Sequence, residues 1–246
     1  MKTLLFLSIL ARSLSAQTTG LSCVGDSIMF GYTSSPTLDP CLLTVNALNS
    51  LTGTSNYTEG YNGGTSGTTS ADWSSPSAEA MQHALSSGLV SSGATAVIAM
   101  LGTNDCKIAT LTPPATYQTN MQGMVTTLKN LGINRIVLNY PIYIYSDPYG
   151  SWTPLSTANA CLVSYRASLN AIAASDPTHV FIGDTQAYGY FQSNPTGNYY
   201  DGVHPSNAGY AILANFWAQG YLGLETTTTV SMRSAALLVS SGVVWQ

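Results

Sequence analysis

Serine, histidine and aspartate occur in this 246-residue chain at positions that could together hydrolyse an ester. A serine hydroxyl is a weak nucleophile until a neighbouring base accepts its proton, and a carboxylate that holds this base stabilises its protonated form. Ser27 follows a tight Gly25-Asp26 turn. Asp201 precedes His204 by three residues, so one short turn can bring the carboxylate to the far nitrogen of the imidazole. These spacings predict Ser27 as nucleophile, His204 as base and Asp201 as the carboxylate that orients it.

Each of these residues also has a structural interpretation. Ser27 could cap the N-terminus of a helix, and an Asp-x-x-His sequence often occurs by chance. His83 falls inside a predicted helix and His179 at the start of a predicted strand, so both are expected to be structural. Asp26 is expected to bond N–H groups of its loop rather than to take part in the chemistry.

Ester hydrolysis also requires hydrogen-bond donors for the negative oxygen of the tetrahedral intermediate. A serine at a strand-to-helix corner can offer its own N–H. Asn104 follows an apolar run, where its amide would stand at the sheet edge, and Gly67 would offer an N–H that no side chain obstructs. The sequence therefore predicts an oxyanion hole made by Ser27, Gly67 and Asn104, although turn chemistry alone also favours glycine and asparagine in loops.

Strand-like apolar runs alternate with segments of helical period, which predicts an α/β fold, a three-layer αβα sandwich around a parallel sheet. Ligands of such sheets bind beyond the carboxyl ends of the strands. Of the four segments that contain Ser27, Gly67, Asn104 and His204, three directly follow predicted strands. The predicted strands cover residues 21–25, 57–61, 94–101, 135–140 and 180–183. The predicted helices cover residues 38–51, 76–90, 114–131, 157–174 and 207–222.

The composition excludes several classes of protein. Hydrophobic residues make up 45% of the chain, which argues against both disorder and a membrane bundle. Charged residues make up only 7%, against roughly 25% in an average protein, as is common in secreted proteins that act on neutral polymers. The net charge of -4 and the lack of a Lys/Arg cluster give no basic field, so we expect no nucleic-acid partner.

The two ends of the chain differ from the part between them. Lys2, the apolar run 4–11 and the small-residue site Leu14-Ser15-Ala16 predict a signal peptide over residues 1–16, and hence a secreted protein, extracellular or periplasmic. Residues 17–224 then form the catalytic domain. Residues 225–246 form an apolar tail, for which a hairpin, a docked strand and a frayed end are the alternatives. The tail is too short to span a membrane as a helix, and we expect no stable membrane insertion.

Export makes the four cysteines candidates for two disulfides, which allow three pairings. We favour Cys23–Cys41 with Cys106–Cys161, because this pairing clips each active-site segment to a following element; buried free thiols are the alternative. The sequence contains no CxxC pair and no His/Cys cluster, so it predicts neither a metal nor a cofactor.

The four segments resemble the SGNH hydrolases, also called GDSL-like esterases, from residue 21 to residue 222. The segment at Ser27 is similar to the first block of that family, although Ile28 stands where many members have leucine. The α/β-hydrolase alternative requires a Gly-x-Ser-x-Gly pentapeptide, which is absent. The resemblance implies a flavodoxin-like five-stranded parallel sheet, a Ser27–His204–Asp201 triad and an oxyanion hole of Ser27, Gly67 and Asn104. The other matching segments are Ser66-Gly67-Thr68-Thr69, Gly102-Thr103-Asn104-Asp105 and Asp201-Gly202-Val203-His204-Pro205.

The substrate is less constrained. Short acyl esters are the default expectation, since no long insertion suggests a lipid lid, and similarity to secreted carbohydrate acetylesterases implies acetylated xylan or a related polysaccharide. A lipolytic or aryl esterase and a non-catalytic carbohydrate-binding protein are the alternatives, although the full set of triad residues argues against the latter. Aromatic side chains in loops could stack on a sugar ring or simply pack the loops. These are Trp73, Tyr143, Tyr145, Tyr149 and Trp152, of which Trp73, Tyr143 and Trp152 are the predicted substrate contacts.

Overall fold

The computed structural model of the protein describes residues 18–32 and 38–223. The predicted signal peptide and the tail at 225–246 lie outside the described residues. Within them, five strands form one parallel sheet in the order β2-β1-β3-β4-β5. The strands are β1 Thr19–Gly25, β2 Tyr57–Asn62, β3 Ala96–Met100, β4 Arg135–Leu138 and β5 Val180–Ile182.

Helices cover both faces of this sheet, so the predicted three-layer αβα fold is confirmed. In the described part of the chain the helices are α1 Ser27–Phe30, α2 Pro40–Thr52, α3 Glu79–Ala84, α4 Pro114–Asn130, α5 Leu155–Ser175, α6 Ala187–Ser193 and α7 Asn207–Leu222. The pair α2 and α7 contributes to one hydrophobic core, and α3, α4 and α5 contribute to the other.

Strand β3 shows why the sheet needs a helical layer on each side. All five of its residues are buried. Successive side chains of a strand point to opposite faces. Accordingly, Val97 and Ala99 join the core under α4 and α5, whereas Ala96, Ile98 and Met100 join the core under α2 and α7.

The order of the strands determines where a ligand can bind. From β1 the chain first runs to β2 on one side, and then returns to β3 on the other side of β1. In open parallel sheets, such a reversal opens a crevice at the carboxyl ends of the two flanking strands. Ser27 lies two residues after the end of β1, and Asn104 lies four residues after the end of β3.

Several predicted boundaries are wrong. The single helix predicted over 76–90 is instead α3 followed by a wider π-helical turn, Leu85–Leu89. The four-residue α1 is too short for hydrophobic periodicity to reveal, and α6 lies in a stretch where the sequence indicated no element.

The structure confirms the favoured disulfide pairing. Cys23–Cys41 joins β1 to α2, and Cys106–Cys161 joins the turn after β3 to α5. The described residues include no free cysteine. Both bridges therefore anchor elements that carry residues of the candidate site.

Candidate active site

The turn after β1 places Ser27 at the crevice. A Cβ atom on Gly25 would lie 2.4 Å from the backbone oxygen of Met100, so only glycine allows β1 to approach β3 this closely before it turns. Asp26, not Ser27, is the N-cap of α1, and its Oδ1 accepts a hydrogen bond of 2.9 Å from the N–H of Ile28. The helix-cap interpretation of Ser27 is therefore wrong.

Asp26 has no exposed surface although it adjoins Ser27. Burial raises its pKa to about 6, because a charged carboxylate loses its hydration in the interior. The hydrogen bond to Ile28 and the charge of His204 act in the opposite direction with smaller effect. Its contact with a backbone N–H of α1 agrees with the structural role expected for it.

Ser27, His204 and Asp201 form one hydrogen-bonded chain. Ser27 Oγ lies 2.8 Å from His204 Nε2, and His204 Nδ1 lies 2.7 Å from Asp201 Oδ2. A neutral imidazole protonated at Nδ1 fits both contacts, since it donates to the carboxylate and accepts from the serine hydroxyl. In this form, His204 can receive the proton of Ser27.

The carboxylate of Asp201 is held at both oxygens. Its Oδ1 accepts hydrogen bonds from the backbone N–H groups of Val203 at 2.9 Å and His204 at 2.7 Å. Burial raises the pKa of Asp201, but hydrogen bonds from His204, Tyr149 and Val203 outweigh burial and hold the pKa below its ordinary value. Asp201 is therefore ionised at neutral pH.

The predicted oxyanion donors lie on neighbouring loops that contact each other. The side-chain amide of Asn104 donates a hydrogen bond of 2.9 Å to the carbonyl oxygen of Thr68, the residue after Gly67. The carboxylate of Asp105 accepts hydrogen bonds from the N–H of Ser70 at 2.9 Å and from its hydroxyl at 2.5 Å. The sequence did not predict this anchoring role of Asp105, although it directly follows Asn104.

The structure buries two of the three predicted aromatic substrate contacts. Trp73 is fully buried and its indole N–H donates to Thr68 Oγ1 at 3.2 Å; Trp152 is 4% exposed and donates to the carbonyl of Thr103 at 2.8 Å. Neither ring offers a free face, because packing within the loops covers both. Tyr143 is half-buried, and its contact with substrate stays a prediction.

Two exposed tyrosines that were not among the predicted site residues flank His204. The ring centroid of Tyr32 lies 4.6 Å from that of the imidazole, and Tyr32 is 41% exposed. The hydroxyl of Tyr149 donates to Asp201 Oδ2 at 2.6 Å, and Tyr149 is 52% exposed. The only signal in the sequence was the position of Tyr149 among the loop aromatics.

A cleft of about 340 Å³ is lined in part by the loop that carries Gly67. Its lining includes the charged or titratable side chains of Asp72, Glu79 and His83. His83 is exposed and lines the cleft, and its structural role stays a prediction. His179 instead bonds Asp176 at 2.8 Å, as a structural residue would. The loop contributes Thr65, Ser66, Gly67 and Thr68 to the lining.

Residues 18–32 and 38–223 contain neither a candidate metal site nor a helix that could cross a membrane. No group of three or more His, Cys, Asp or Glu side chains there could hold a metal ion. No helix in these ranges combines the length and the apolar character needed to cross a membrane.

Solved structures of ester hydrolases share this fold. A lipase/acylhydrolase from Enterococcus faecalis superposes with a TM-score of 0.62 at 18% identity, over 87% of this chain and 100% of that one. An acetylxylan esterase from Geobacillus stearothermophilus gives 0.61 at 22% identity, over 83% and 94%. A carbohydrate acetylesterase from Sinorhizobium meliloti gives 0.61 at 19% identity, over 84% and 100%. At these identities the likeness establishes the fold alone.

The family follows from the sequence match. Residues 23–212 match the GDSL-like lipase/acylhydrolase family, so the chain belongs to this family of carboxylic ester hydrolases. The resemblance drawn from the four segments is thereby confirmed. No curated protein sequence matches the chain significantly.

Proposed function

We propose that the protein is a secreted serine esterase that removes short acyl groups, above all acetyl, from a carbohydrate such as acetylated xylan. The observation that carries this proposal is the hydrogen-bonded chain of Ser27, His204 and Asp201 at the crevice of the sheet. A nucleophile, a base and an orienting carboxylate in this order define acyl transfer through a covalent intermediate.

The proposed reaction begins when Ser27 Oγ attacks the ester carbonyl carbon and His204 Nε2 accepts the hydroxyl proton. The ionised Asp201 stabilises the imidazolium, while the N–H groups of Ser27 and Gly67 and the amide of Asn104 stabilise the oxyanion. As the carbon–oxygen bond breaks, His204 returns its proton to the departing alkoxide. An acyl-Ser27 remains.

Water completes the reaction. His204 Nε2 accepts a proton as the water oxygen attacks the acyl carbon, and a second tetrahedral oxyanion forms. This intermediate expels Ser27, which recovers its proton from His204, and the carboxylic acid leaves.

Three observations support a carbohydrate as the alcohol part of the ester. The cleft beside Gly67 presents hydroxyl groups and carboxylates, which pair with sugar hydroxyls. The low charge of the chain suits a neutral polymer. Two of the structural neighbours are esterases of acetylated carbohydrates.

Secretion is supported by the two disulfides, because such bonds persist in oxidising compartments. The predicted signal peptide supports the same location. Recovery of a mature chain beginning near Gln17 from the medium or periplasm would test this part of the proposal.

Release of acetate from acetylated xylan, and hydrolysis of p-nitrophenyl esters of increasing chain length, test the activity. We expect the acetyl ester to react fastest and the Ser27→Ala variant to lose at least about 10⁴-fold in kcat. Ser175→Ala, at the far end of α5 where the hydroxyl bonds Ile172, is the matched control and should keep full activity. Equal rates for Ser27→Ala and the unaltered protein would overturn the triad, and a preference for long acyl chains would overturn the acetyl assignment.

A further inference from the structure

The phenol of Tyr149 contacts Asp201, although a Ser-His-Asp triad does not require a fourth residue for ester hydrolysis. Its hydroxyl donates to Asp201 Oδ2 at 2.6 Å, and the same oxygen accepts the bond from His204 Nδ1 at 2.7 Å. We propose that Tyr149 is a positioning residue, whose hydroxyl fixes this oxygen against His204. This inference rests on the proposed esterase function.

The hydrogen-bond donors around Asp201 are divided between its two carboxylate oxygens. The backbone N–H groups of Val203 and His204 occupy Oδ1. Without Tyr149, Oδ2 would have His204 Nδ1 as its one protein donor among those given by the described residues. Asp201 Oδ2, the oxygen that faces the imidazole, therefore depends on Tyr149 for its second hydrogen bond.

Tyr149 remains a donor throughout the range in which an esterase works. Its hydrogen bond to Asp201, followed by burial, raises the pKa of Tyr149 above its ordinary value, because ionisation would remove the donated proton beside a carboxylate. A charge-assisted bond of this kind is about twice as strong as a neutral one.

The backbone that presents Tyr149 is fixed to the loop of Asp201. We name residues 145–153 the strap. The N–H groups of Tyr145 and Ser146 both donate to the carbonyl oxygen of Gly202, at 2.8 and 3.3 Å. Ser146 Oγ also donates to the carbonyl oxygen of Asp201 at 3.3 Å. One end of the strap therefore moves together with the carboxylate.

Asp147 organises the rest of the strap. One of its oxygens accepts from the N–H groups of Tyr149 at 3.2 Å and Ser151 at 3.0 Å. The other accepts from the N–H of Trp152 at 2.6 Å and the hydroxyl of Thr153 at 2.9 Å. Since the indole of Trp152 in turn bonds the segment that carries Asn104, the strap links the carboxylate to the far side of the site.

Loss of the Tyr149 hydroxyl would remove a hydrogen bond that lowers the pKa of Asp201, so the carboxylate that faces His204 Nδ1 would become more basic. Besides Ser27, the groups that act on His204 are Asp201 and Tyr149, Tyr32 after α1, and Asp26 through its charge. All except the Tyr149 hydroxyl stay the same when Tyr149 becomes phenylalanine. A change in the pH profile would therefore report this one group.

The test compares Tyr149→Phe with Tyr145→Phe, which removes a hydroxyl from another exposed ring of the strap. For p-nitrophenyl acetate we expect Tyr149→Phe to lower kcat about 5- to 20-fold with KM within about twofold, since a bond to a charged group is lost at a partly exposed site. The acid midpoint of kcat/KM should move to higher pH by about 0.5. Tyr145→Phe should match the unaltered protein.

A second readout does not depend on activity. The proton between His204 Nδ1 and Asp201 should resonate far downfield in the ¹H NMR spectrum of a Ser27→Ala protein, and Tyr149→Phe should move this resonance. An unmoved resonance with unchanged kcat, or a change in KM alone, would overturn the positioning role. Those results would leave the proposed function standing, because it fails only if Ser27→Ala remains active.

Discussion

Asp26 lies beside the nucleophile, and its burial makes a testable prediction about stability. Its pKa is about 6 in the folded protein and about 3.8 when exposed. Between these values the folded state binds more protons than the unfolded state, so the contribution of Asp26 to stability falls as pH rises through this window. The difference corresponds to about 3 kcal/mol, with each pKa unit worth about 1.4 kcal/mol.

Asp26→Asn removes this dependence. The asparagine oxygen can still accept from Ile28, so α1 keeps its cap. We expect the free energy of unfolding of the variant, relative to that of the unaltered protein, to improve by up to about 3 kcal/mol between about pH 4 and about pH 8. Other groups cancel in this comparison, because both proteins contain them.

Urea denaturation of the two proteins at both pH values measures this difference. Esterase activity of Asp26→Asn should stay within about tenfold of that of the unaltered protein, since Asp26 contacts a backbone N–H of α1 rather than the reacting atoms. A stability difference that is the same at both pH values would refute the reasoning from burial.

Three further predictions concern the strap, the disulfides and the cleft. A Cβ on Gly202, whose φ is 92°, would lie 1.7 Å from Ser146 Oγ, so Gly202→Ala should displace the strap and lower both kcat and Tm. Adding Ser146→Gly should restore part of each, and wild-type behaviour of Gly202→Ala would contradict the contact. The Cys106–Cys161 and Cys23–Cys41 bridges close segments of 55 and 18 residues. In urea denaturation, replacing both cysteines of one bridge with alanine should lower the free energy of unfolding by about 4 kcal/mol for the first bridge and about 3 kcal/mol for the second. The reverse order would contradict the loop-entropy account. Glu79→Gln combined with His83→Gln should raise KM for acetylated xylan several-fold and leave the KM for p-nitrophenyl acetate unchanged. The surface variant His179→Gln is the control. An unchanged KM for xylan in the double variant would show that the cleft is not part of the substrate site.

The sequence predicted the fold and the candidate triad because both depend on short-range signals. Buried runs such as 94–101 identify strands, and the parallel sheet then brings the strand ends of Ser27 and Asn104 to one edge. Asp201 and His204 need only a three-residue turn to meet, so no distant packing had to be foreseen.

The remaining parts of the site depend on tertiary packing that local patterns do not encode. In the sequence, Trp73 and Trp152 look like exposed loop aromatics, yet both rings are buried, and their indole N–H groups bond the segments that carry Gly67 and Asn104. The contact of Tyr149 with Asp201 spans 52 residues and depends on the path of the strap. Likewise, His83 lines a cleft that forms only once α3 packs beside the Gly67 loop.

Covalent labelling of Ser27 tests the proposed mechanism most directly. A fluorophosphonate ester reacts only with a serine that an adjacent base activates, and digestion followed by mass spectrometry locates the adduct. We predict a single adduct on the peptide that contains Ser27, no adduct in Ser27→Ala, and greatly slowed labelling in His204→Gln. An active enzyme that is labelled at another serine, or is not labelled at all, would contradict the assignment of Ser27 as the nucleophile.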